Sequence, residues 1–469
     1  MPMTSAFEEL TTASLIFGIV MILSFALLGR IGARKLGLPT VFGELLMGIL
    51  IGNLFYFWGY DLMVILREGA TCVDMARLAL SGHSWDEAAR LVLGEESSKA
   101  VIDLLRSPSG IQYLQFSQAA DLFSRFGLMF VIFHIGLGTY VIAQLRSLDA
   151  DSLKVAVIGA FAPMLLGFIV IFLLTSDTSH VEHIFIAATL GTTSIAVTSR
   201  VLTRIRQNHS REAQVILGAA VMDEILGLVM LAIASGIAVA GSAEIGDIGR
   251  TTIRTCLFLI CAFGFGPTFL RLLIRLLRRF DLLEAKLFVS FIIVMFLAGL
   301  ASIVQISPIV GAFAAGLLMH ESHFKTWGDL HKDKHTIKEL FAPLEVIIVP
   351  AFFVLMGIQV KLETLFDWQV IYIFAGVLAA AVIGKWISGL GVRGNVNRVS
   401  VGFGMMPRGE VGLAFAFIGK SLGVVGPTMF TVVVLVVVIT TLMTPLMLRL
   451  AMSNNPQSSQ KDGDMPPKM

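Results

Sequence analysis

Charge is what this sequence has least of. Only 14% of its 469 residues are Asp, Glu, Lys or Arg, against 56% that are hydrophobic. A water-soluble chain of that length could hardly cover so much apolar surface. Cysteine is scarce as well. Cys72, Cys256 and Cys261 have no metal-ligand spacing and cannot build a disulfide framework, so they are read as packing residues. There is no basic arm and no aromatic–basic interleaving, which removes nucleic acid from the candidate partners. The formal net charge of +2 points to no other. The first apolar run, 13–28, has no basic residue before it and no small-residue cleavage site after it, so it reads as a retained span and not a signal peptide. The tail from Ser453 is short, polar and Pro-containing; 453–469 is expected to be a disordered cytoplasmic tail, with no regulatory domain after it.

What is abundant is membrane-length apolar sequence. Each crossing helix needs roughly 20 apolar residues. Thirteen runs qualify as candidate spans, near 13–30, 38–58, 124–145, 153–175, 183–202, 212–240, 252–276, 285–304, 306–321, 341–359, 369–391, 399–420 and 427–451. The weakest division is at Ser307-Pro308, where one long run must turn. The chain is therefore expected to be an all-α polytopic membrane protein. Basic residues fall after alternate spans: Arg30, Arg34 and Lys35 after the first, Arg146 and Lys154 around the third junction, Arg200, Arg204, Arg206 and Arg211 after the fifth. Arg271, Arg275, Arg278 and Arg279 close the seventh, and Lys325, Lys332, Lys334 and Lys338 follow the ninth. Lys and Arg concentrate in cytoplasmic loops, so the N-terminus is expected outside and the C-terminus in the cytoplasm. Residues 59–123 then form a long outer connection with amphipathic stretches such as 84–93 (SWDEAARLVL), expected to lie as short helices on the outer surface.

Four pieces of the apolar sequence carry chemistry. The first is Asp223-Glu224, two adjacent acids inside the run 215–232; carboxylates at such a depth are costly and by default mark an ion or proton path. The second is 191–200 (GTTSIAVTSR), whose Thr193 and Ser194 offer hydroxyl oxygens suited to a dehydrated alkali cation. The third is Lys385, deep in 379–389. The fourth is 402–412 (GFGMMPRGEVG), where Gly and Pro should interrupt a span. A buried Lys needs a carboxylate, and a buried carboxylate needs a cation or a proton. If Asp223 pairs with Lys385, Glu224 is left to take either a proton or a metal cation. Competition of the two for one group gives exchange, provided the site opens to each side in turn. Half-helix ends and freed carbonyls are expected to help coordinate the ion at the midplane.

With these residues in view, the chain resembles the bacterial sodium/proton antiporters of the cation:proton antiporter superfamily, of the NapA-like kind, related to the membrane domain of Kef proteins. The resemblance runs through 36–52 (LGLPTVFGELLMGILIG), 193–202 (TSIAVTSRVL), 219–228 (AAVMDEILGL), 309–316 (IVGAFAAG) and 407–413 (PRGEVGL). It implies the NhaA/NapA-like antiporter fold: inverted repeats with two crossed, discontinuous helices, here 183–202 and 399–420. It also implies a core ion-transport domain (150–242 and 368–452) that moves like an elevator against a dimerisation domain (1–149, with the insertion 59–123, and 285–367), joined by a linker helix at 243–284. A homodimer is expected with it. The ion- and proton-binding residues carried over are Glu224, Asp223, Lys385, Thr193 and Ser194, with Glu224 and Asp223 holding the transported cation. No cofactor or enzymatic activity is expected. Close relatives carry two aspartates where this chain has Asp223-Glu224, which puts the choice among Na⁺, Li⁺ and K⁺ in question and leaves the exchange logic intact. The acid at 223 with Lys385 resembles the electrogenic members, implying two protons per cation. A bacterial inner membrane is the expected location, with a thylakoid membrane the alternative.

Plainer roles remain beside these. Asp223 and Lys385 could form a structural ion pair only. Arg200, Arg408 and Glu410 are read as a structural network steadying the crossed helices, or Arg408 as a gate. Glu44 is read as a helix-start cap, His134 as a satisfied interior histidine, and His320, His323, His331 and His335 as residues of a solvated loop. Three other functions are open to the same residues: potassium/proton exchange of the Kef-like sort, sodium-coupled organic-anion symport on the same fold, and a membrane sensor. Kef-like proteins usually carry Gln-Asp at the acid pair and a nucleotide-binding tail, which this sequence does not show. An intramembrane aspartyl protease would need a Gly-x-Gly-Asp tetrapeptide, and none occurs.

Overall fold

The computed structural model describes residues 2–138, 149–175, 178–208, 210–240, 245–277, 282–319, 336–394 and 396–453. Among them every regular element is a helix. In chain order these are α1 (Pro2–Leu36), α2 (Thr40–Phe57), α3 (Asp61–Glu68), α4 (Ala70–Leu80), α5 (Trp85–Leu105), α6 (Gly110–Gly138), α7 (Ala150–Leu174), α8 (His180–Gly191) and α9 (Ile195–Arg204). They continue as α10 (Arg211–Ala240), α11 (Ile245–Leu276), α12 (Leu282–Ile303), α13 (Pro308–Leu318), α14 (Ile337–Ile358), α15 (Trp368–Ser388), α16 (Arg398–Gly404), α17 (Glu410–Ser421) and α18 (Pro427–Ser453).

Eleven helical stretches among the described residues are long and apolar enough to cross a membrane, taking α8 and α9 together. That is two fewer than the thirteen expected spans. The other two are α13, only 11 residues long, and the interrupted segment made of α16, 7 residues, and α17, 12 residues. Ser307 and Pro308 do start a new helix, with proline at its first turn, where its missing N–H costs nothing. The third expected span, 124–145, begins much earlier, because α6 is continuous from Gly110. Gln112, Gln115 and Gln118 made 110–123 too polar to read as span, yet Phe116 is buried there and Ser117 Oγ donates to Gly69 O at 3.4 Å. The outer connection is thus helical as α3, α4 and α5 and ends near residue 109. Cys72 lies in its apolar core, where burial pushes the thiol up to about 12; Cys256 and Cys261 are exposed on α11. Arg146, the histidine- and lysine-bearing segment 320–335 and the tail beyond Ser453 lie outside the described residues.

Local chemistry starts the helices where polar residues meet the apolar runs. Ser84, Ser179, Ser194 and Asp367 each accept a hydrogen bond from the first-turn amide of the helix that follows, and Thr336 and Glu339 form a reciprocal capping box on α14. Asp149 caps α7 through Ser152 N at 2.9 Å and pairs with Arg211. The hydrogen bonds from Ser152, with Arg211 beside it, hold the Asp149 carboxyl below the usual carboxylate range.

The chain divides into two compact units, one of Met1–Thr139, Ser235–Phe366 and Phe417–Thr431, the other of Tyr140–Ala234, Asp367–Ala416 and Val432–Met469. In the first unit α2 packs on α14, α6 on α13 and α14, and Phe133 meets Phe341 at 5.1 Å between ring centres. His134 is satisfied there: its Nδ1 lies 2.5 Å from Glu345 Oε1. Glu44 is not the cap it resembled, because it sits in the second turn of α2, fully buried, and accepts from Arg30 Nε at 2.9 Å. In the second unit α15 lies along α7, and α7 along α8.

Candidate functional site

Both expected interruptions are present, each in the second unit. The first separates α8 from α9 over Thr192, Thr193 and Ser194; the second separates α16 from α17 over 405–409. They are tied to each other residue by residue. Ser194 N donates to Pro407 O at 2.8 Å, Thr193 Oγ1 to Met405 O at 2.9 Å and Thr198 Oγ1 to Gly404 O at 2.9 Å. Gly409 permits the approach, since a Cβ there would stand 2.5 Å from Ser194 Oγ. The hydroxyls of 191–200 therefore serve the neighbouring backbone, satisfying carbonyls that the end of α16 leaves open.

The end of α8 is satisfied by two buried cations. Lys385 Nζ donates to Gly191 O at 2.6 Å, Thr193 Oγ1 at 2.7 Å and Asp223 Oδ2 at 3.0 Å, which uses all three of its hydrogens. Arg408 Nη1 donates to Leu190 O, and to Thr189 O and Thr192 O at 3.3 Å each. Thr441 of α18 holds Arg408 in place, donating to its carbonyl at 2.7 Å and accepting from its amide at 3.2 Å. A helix C-terminus carries partial negative charge, so two cations at the end of α8 stabilise it directly. The freed carbonyls of Thr189, Leu190, Gly191 and Thr192, expected to help coordinate the transported ion, are taken here by side-chain cations.

Asp223 and Lys385 are both wholly buried and form an ion pair. Two close approaches place them. A Cβ on Gly227, one turn along α10 from Asp223, would stand 2.8 Å from Thr192 Cγ2, so α10 passes against the first break. A Cβ on Gly384 would stand 2.3 Å from Pro163 Cα, so α15 carries Lys385 in against α7. Asp223 Oδ1 is buried and has no hydrogen-bond partner among the described residues. Next to it, Glu224 is half-buried, and no hydrogen bond or ion pair engages its carboxylate among the described residues. The charged groups acting on it are the like charges of Glu410, at the start of α17, and Asp223. The arrangement is a net-neutral pair with one carboxylate oxygen left open, beside a carboxylate that faces only negative charge, which favours uptake of a cation or a proton.

The structure brings Asp223, Lys385, Thr193, Ser194 and Arg408 to one crossing, with Glu224 and Glu410 beside it. It does not join Arg200 to Arg408 and Glu410. In α9 the residues Val197, Thr198, Val201 and Leu202 are buried, which turns Arg200 and Arg204 outward. Arg408 is taken instead by the α8 carbonyls. Thr441 was missed at the sequence level; the signal available was the cluster Thr440, Thr441 and Thr444 in an otherwise apolar span. Among the described residues no group of three or more His, Cys, Asp or Glu could hold a resident metal.

Comparison with known proteins gives a consistent result. A family model described as "Sodium/hydrogen exchanger, transmembrane" matches residues 20–453. The high-affinity Na⁺/H⁺ antiporter NhaS3 of Synechocystis is 29% identical over 451 residues, covering 94% of this chain and 90% of its own. The Na⁺/H⁺-K⁺ antiporter GerN of Bacillus cereus is 27% identical over 76% of this chain and 90% of its own. Among solved structures, the sodium proton antiporter MjNhaP1 of Methanocaldococcus jannaschii at pH 8 aligns over 97% of this chain and 100% of its own, with a TM-score of 0.59 and 15% identity.

Proposed function

The chain belongs to the transmembrane sodium/hydrogen exchanger family, and from that premise we propose that it exchanges Na⁺ or Li⁺ for protons at Glu224, with Asp223 and Lys385 as a second proton-carrying pair. It is an integral membrane protein and a monovalent cation/proton antiporter. The observation that carries the assignment to Glu224 is its contrast with Asp223. One carboxylate is matched by Lys385 at 3.0 Å; the other has no cation. A cation entering the site binds Glu224, with the unpartnered Oδ1 of Asp223 next to it in sequence, and a proton neutralises the same group when the cation leaves. Binding of Na⁺ also draws Asp223 from Lys385, releasing the ammonium proton, so two protons move per cation. Thr193 and Ser194 keep the crossing in register and position Lys385.

Transport follows an elevator scheme in which the core of 150–242 and 368–452, apart from the turn at 417–431, moves against the remainder, in a homodimer of the bacterial inner membrane with the N-terminus outside. The division of the chain into two compact units and the alternation of basic residues along the spans support this reading. Potassium is the second candidate ion, favoured by relatives whose names include K⁺, such as GerN and the K⁺/H⁺ antiporter subunit KhtU of Bacillus subtilis.

The test is dissipation of a preformed pH gradient in proteoliposomes on adding Na⁺, Li⁺ or K⁺ separately. Wild-type protein dissipates the gradient with Na⁺ and Li⁺, and Glu224→Gln does not. Undiminished exchange in Glu224→Gln would put the ion elsewhere. Because the cation displaces the Glu224 proton and the pair's proton, lowering the pH raises the apparent KM for the cation by up to about tenfold per unit for each proton displaced, while saturating cation restores the maximal rate. A maximal rate that falls with pH at constant KM would rule out this competition.

A further inference from the structure

A second buried polar cluster lies in the first unit and shares no residue with the ion site. Arg67 and Glu68, at the end of α3 in the outer connection, are 1% and 4% exposed. Arg67 Nη2 donates to both Glu363 carboxylate oxygens, at 2.6 and 2.5 Å, and its guanidinium lies 3.9 Å over the Tyr56 ring. Glu68 accepts from Lys361 Nζ at 2.5 Å. Asn53 closes the cluster, donating to Val360 O and accepting from Leu362 N. Gly69 turns the chain at φ +60° directly against the Gln359 side chain, 2.7 Å from where a Cβ would stand.

Into this cluster reaches Lys420, one residue before the end of α17. Its Nζ donates to Arg67 O at 3.2 Å and lies 4.7 Å over the Phe430 ring, and no carboxylate pairs with it among the described residues. On α18, Thr431 accepts from Lys361 N at 3.0 Å. An ammonium drawn out of water for one carbonyl, one ring and the attraction of Glu68, which forms no ion pair with it, is costly, and a methionine would fill the space without that cost. What the polar contacts supply is directional fixation. The helices fixed are α17 and α18, both of which change unit along their length: Glu410–Ala416 and Val432–Ser453 belong to the second unit, and 417–431 to the first.

We propose that the Arg67–Glu68–Lys361–Glu363 cluster is an anchor for the turn between α17 and α18, with Lys420 as its positioning residue, and that it sets the turnover of exchange without touching the ion. The proposal rests on the exchange reading above. The helix that begins at Glu410 is held at its other end by Lys420, and the helix that carries Thr441 is held in its second turn by Thr431. When the second unit moves in the transport cycle, these two helices bend about fixed ends. A loose turn lets them yield without transmitting the movement, which lowers the rate and leaves the site's affinity as it was.

The experiment is steady-state Na⁺/H⁺ exchange in proteoliposomes by Lys420→Met and Lys420→Arg, normalised to folded protein. Lys420→Met lowers the maximal rate by about fivefold or more with KM for the cation within about twofold of wild type, and Lys420→Arg, which keeps a donor for the Arg67 carbonyl, recovers most of the rate. A wild-type rate in Lys420→Met, a KM change matching the loss of rate, or no recovery in Lys420→Arg overturns the proposal. If Lys420→Met does not fold, Glu363→Gln, on a side chain 33% exposed, loosens Arg67 instead. The same division between rate and KM is expected there, and a wild-type rate overturns the proposal again. Glu224→Gln, measured alongside, tests the ion site separately: exchange surviving in it defeats that assignment and leaves the anchor result standing.

Discussion

At the scale of single residues, Lys385 and Arg408 do for α8 what water does for an exposed helix end. Each is fully buried; Lys385 donates to the Gly191 carbonyl and Arg408 Nη1 to those of Thr189, Leu190 and Thr192, carbonyls the break has released. Arg408→Met orphans acceptors at Thr189, Leu190 and Thr192, and an unsatisfied buried group costs roughly 1–3 kcal/mol, so thermal unfolding in detergent moves down by several degrees. Arg408→Lys, whose ammonium can stand in for Nη1, the one guanidinium nitrogen that makes these bonds, recovers much of the loss; no recovery would show that the shape of the guanidinium, and not its charge and donors, matters. The pair at Asp223 behaves differently. Lys385→Met leaves a buried carboxylate uncompensated and costs roughly 3–5 kcal/mol, while the double variant Asp223→Asn with Lys385→Met removes both charges and regains much of it. A double variant no more stable than Lys385→Met would mean that the Gly191 and Thr193 contacts, and not the pair, supply the stability.

At the scale of elements, the close passages of α10 and α15 decide where the charges sit. Gly384 is adjacent to Lys385, and any side chain there meets the Pro163 backbone. Gly384→Val pushes α15 off α7, moves the ammonium away from Gly191 and Asp223, and lowers exchange at saturating cation; wild-type exchange in this variant would show that the helix has room the geometry denies. The ends of these elements were legible to different degrees. The α16–α17 break announced itself through Gly and Pro together, whereas the α8–α9 break was expected only from the family resemblance, its hydroxyl residues being read as ligands. The start of α6 did not, because a helix half buried against α3–α5 carries glutamines that a membrane-length pattern rejects. Arg200 misled for a related reason. It is two residues from the buried Thr198 and two from the buried Leu202, which turns it to the outer side of a short amphipathic helix, and a list of charged residues does not record that turn. Asp149 shows the reverse: an Asp three residues before Ser152 at the start of an apolar run is a cap by its chemistry alone. Its carboxyl is held below the ordinary range, so its contribution is present above pH 4 or so and is lost as the pH falls through the depressed value. Asp149→Ala therefore costs about 1 kcal/mol at neutral pH and nothing in strong acid. An equal cost at both would deny the carboxylate any part in it.

At the scale of the whole molecule, the sequence carried the fold class and the buried charged residues gathered at the crossing, because burying charge in a membrane leaves few alternatives and each exception is visible against an apolar background. It carried little of the anchor, since Arg67, Lys361 and Lys420 are distant in sequence and each looks like an ordinary loop or helix-end cation until the packing joins them. The charge carried per cycle follows from how many protons the site yields to one cation. With Glu224 and the Asp223–Lys385 pair each giving one, a single net charge crosses the membrane, worth ~2.3 kcal/mol per 100 mV. Proteoliposomes held at 100 mV by a potassium diffusion potential, with equal pH on both sides, would then support a Na⁺ gradient of about 50-fold at zero net flux. One-for-one exchange would support none. Asp223→Asn with Lys385→Met should convert the first behaviour into the second while Glu224 still exchanges, because the pair's proton is lost and the cation's competitor is not. A gradient that survives in the double variant would place the second proton outside this pair.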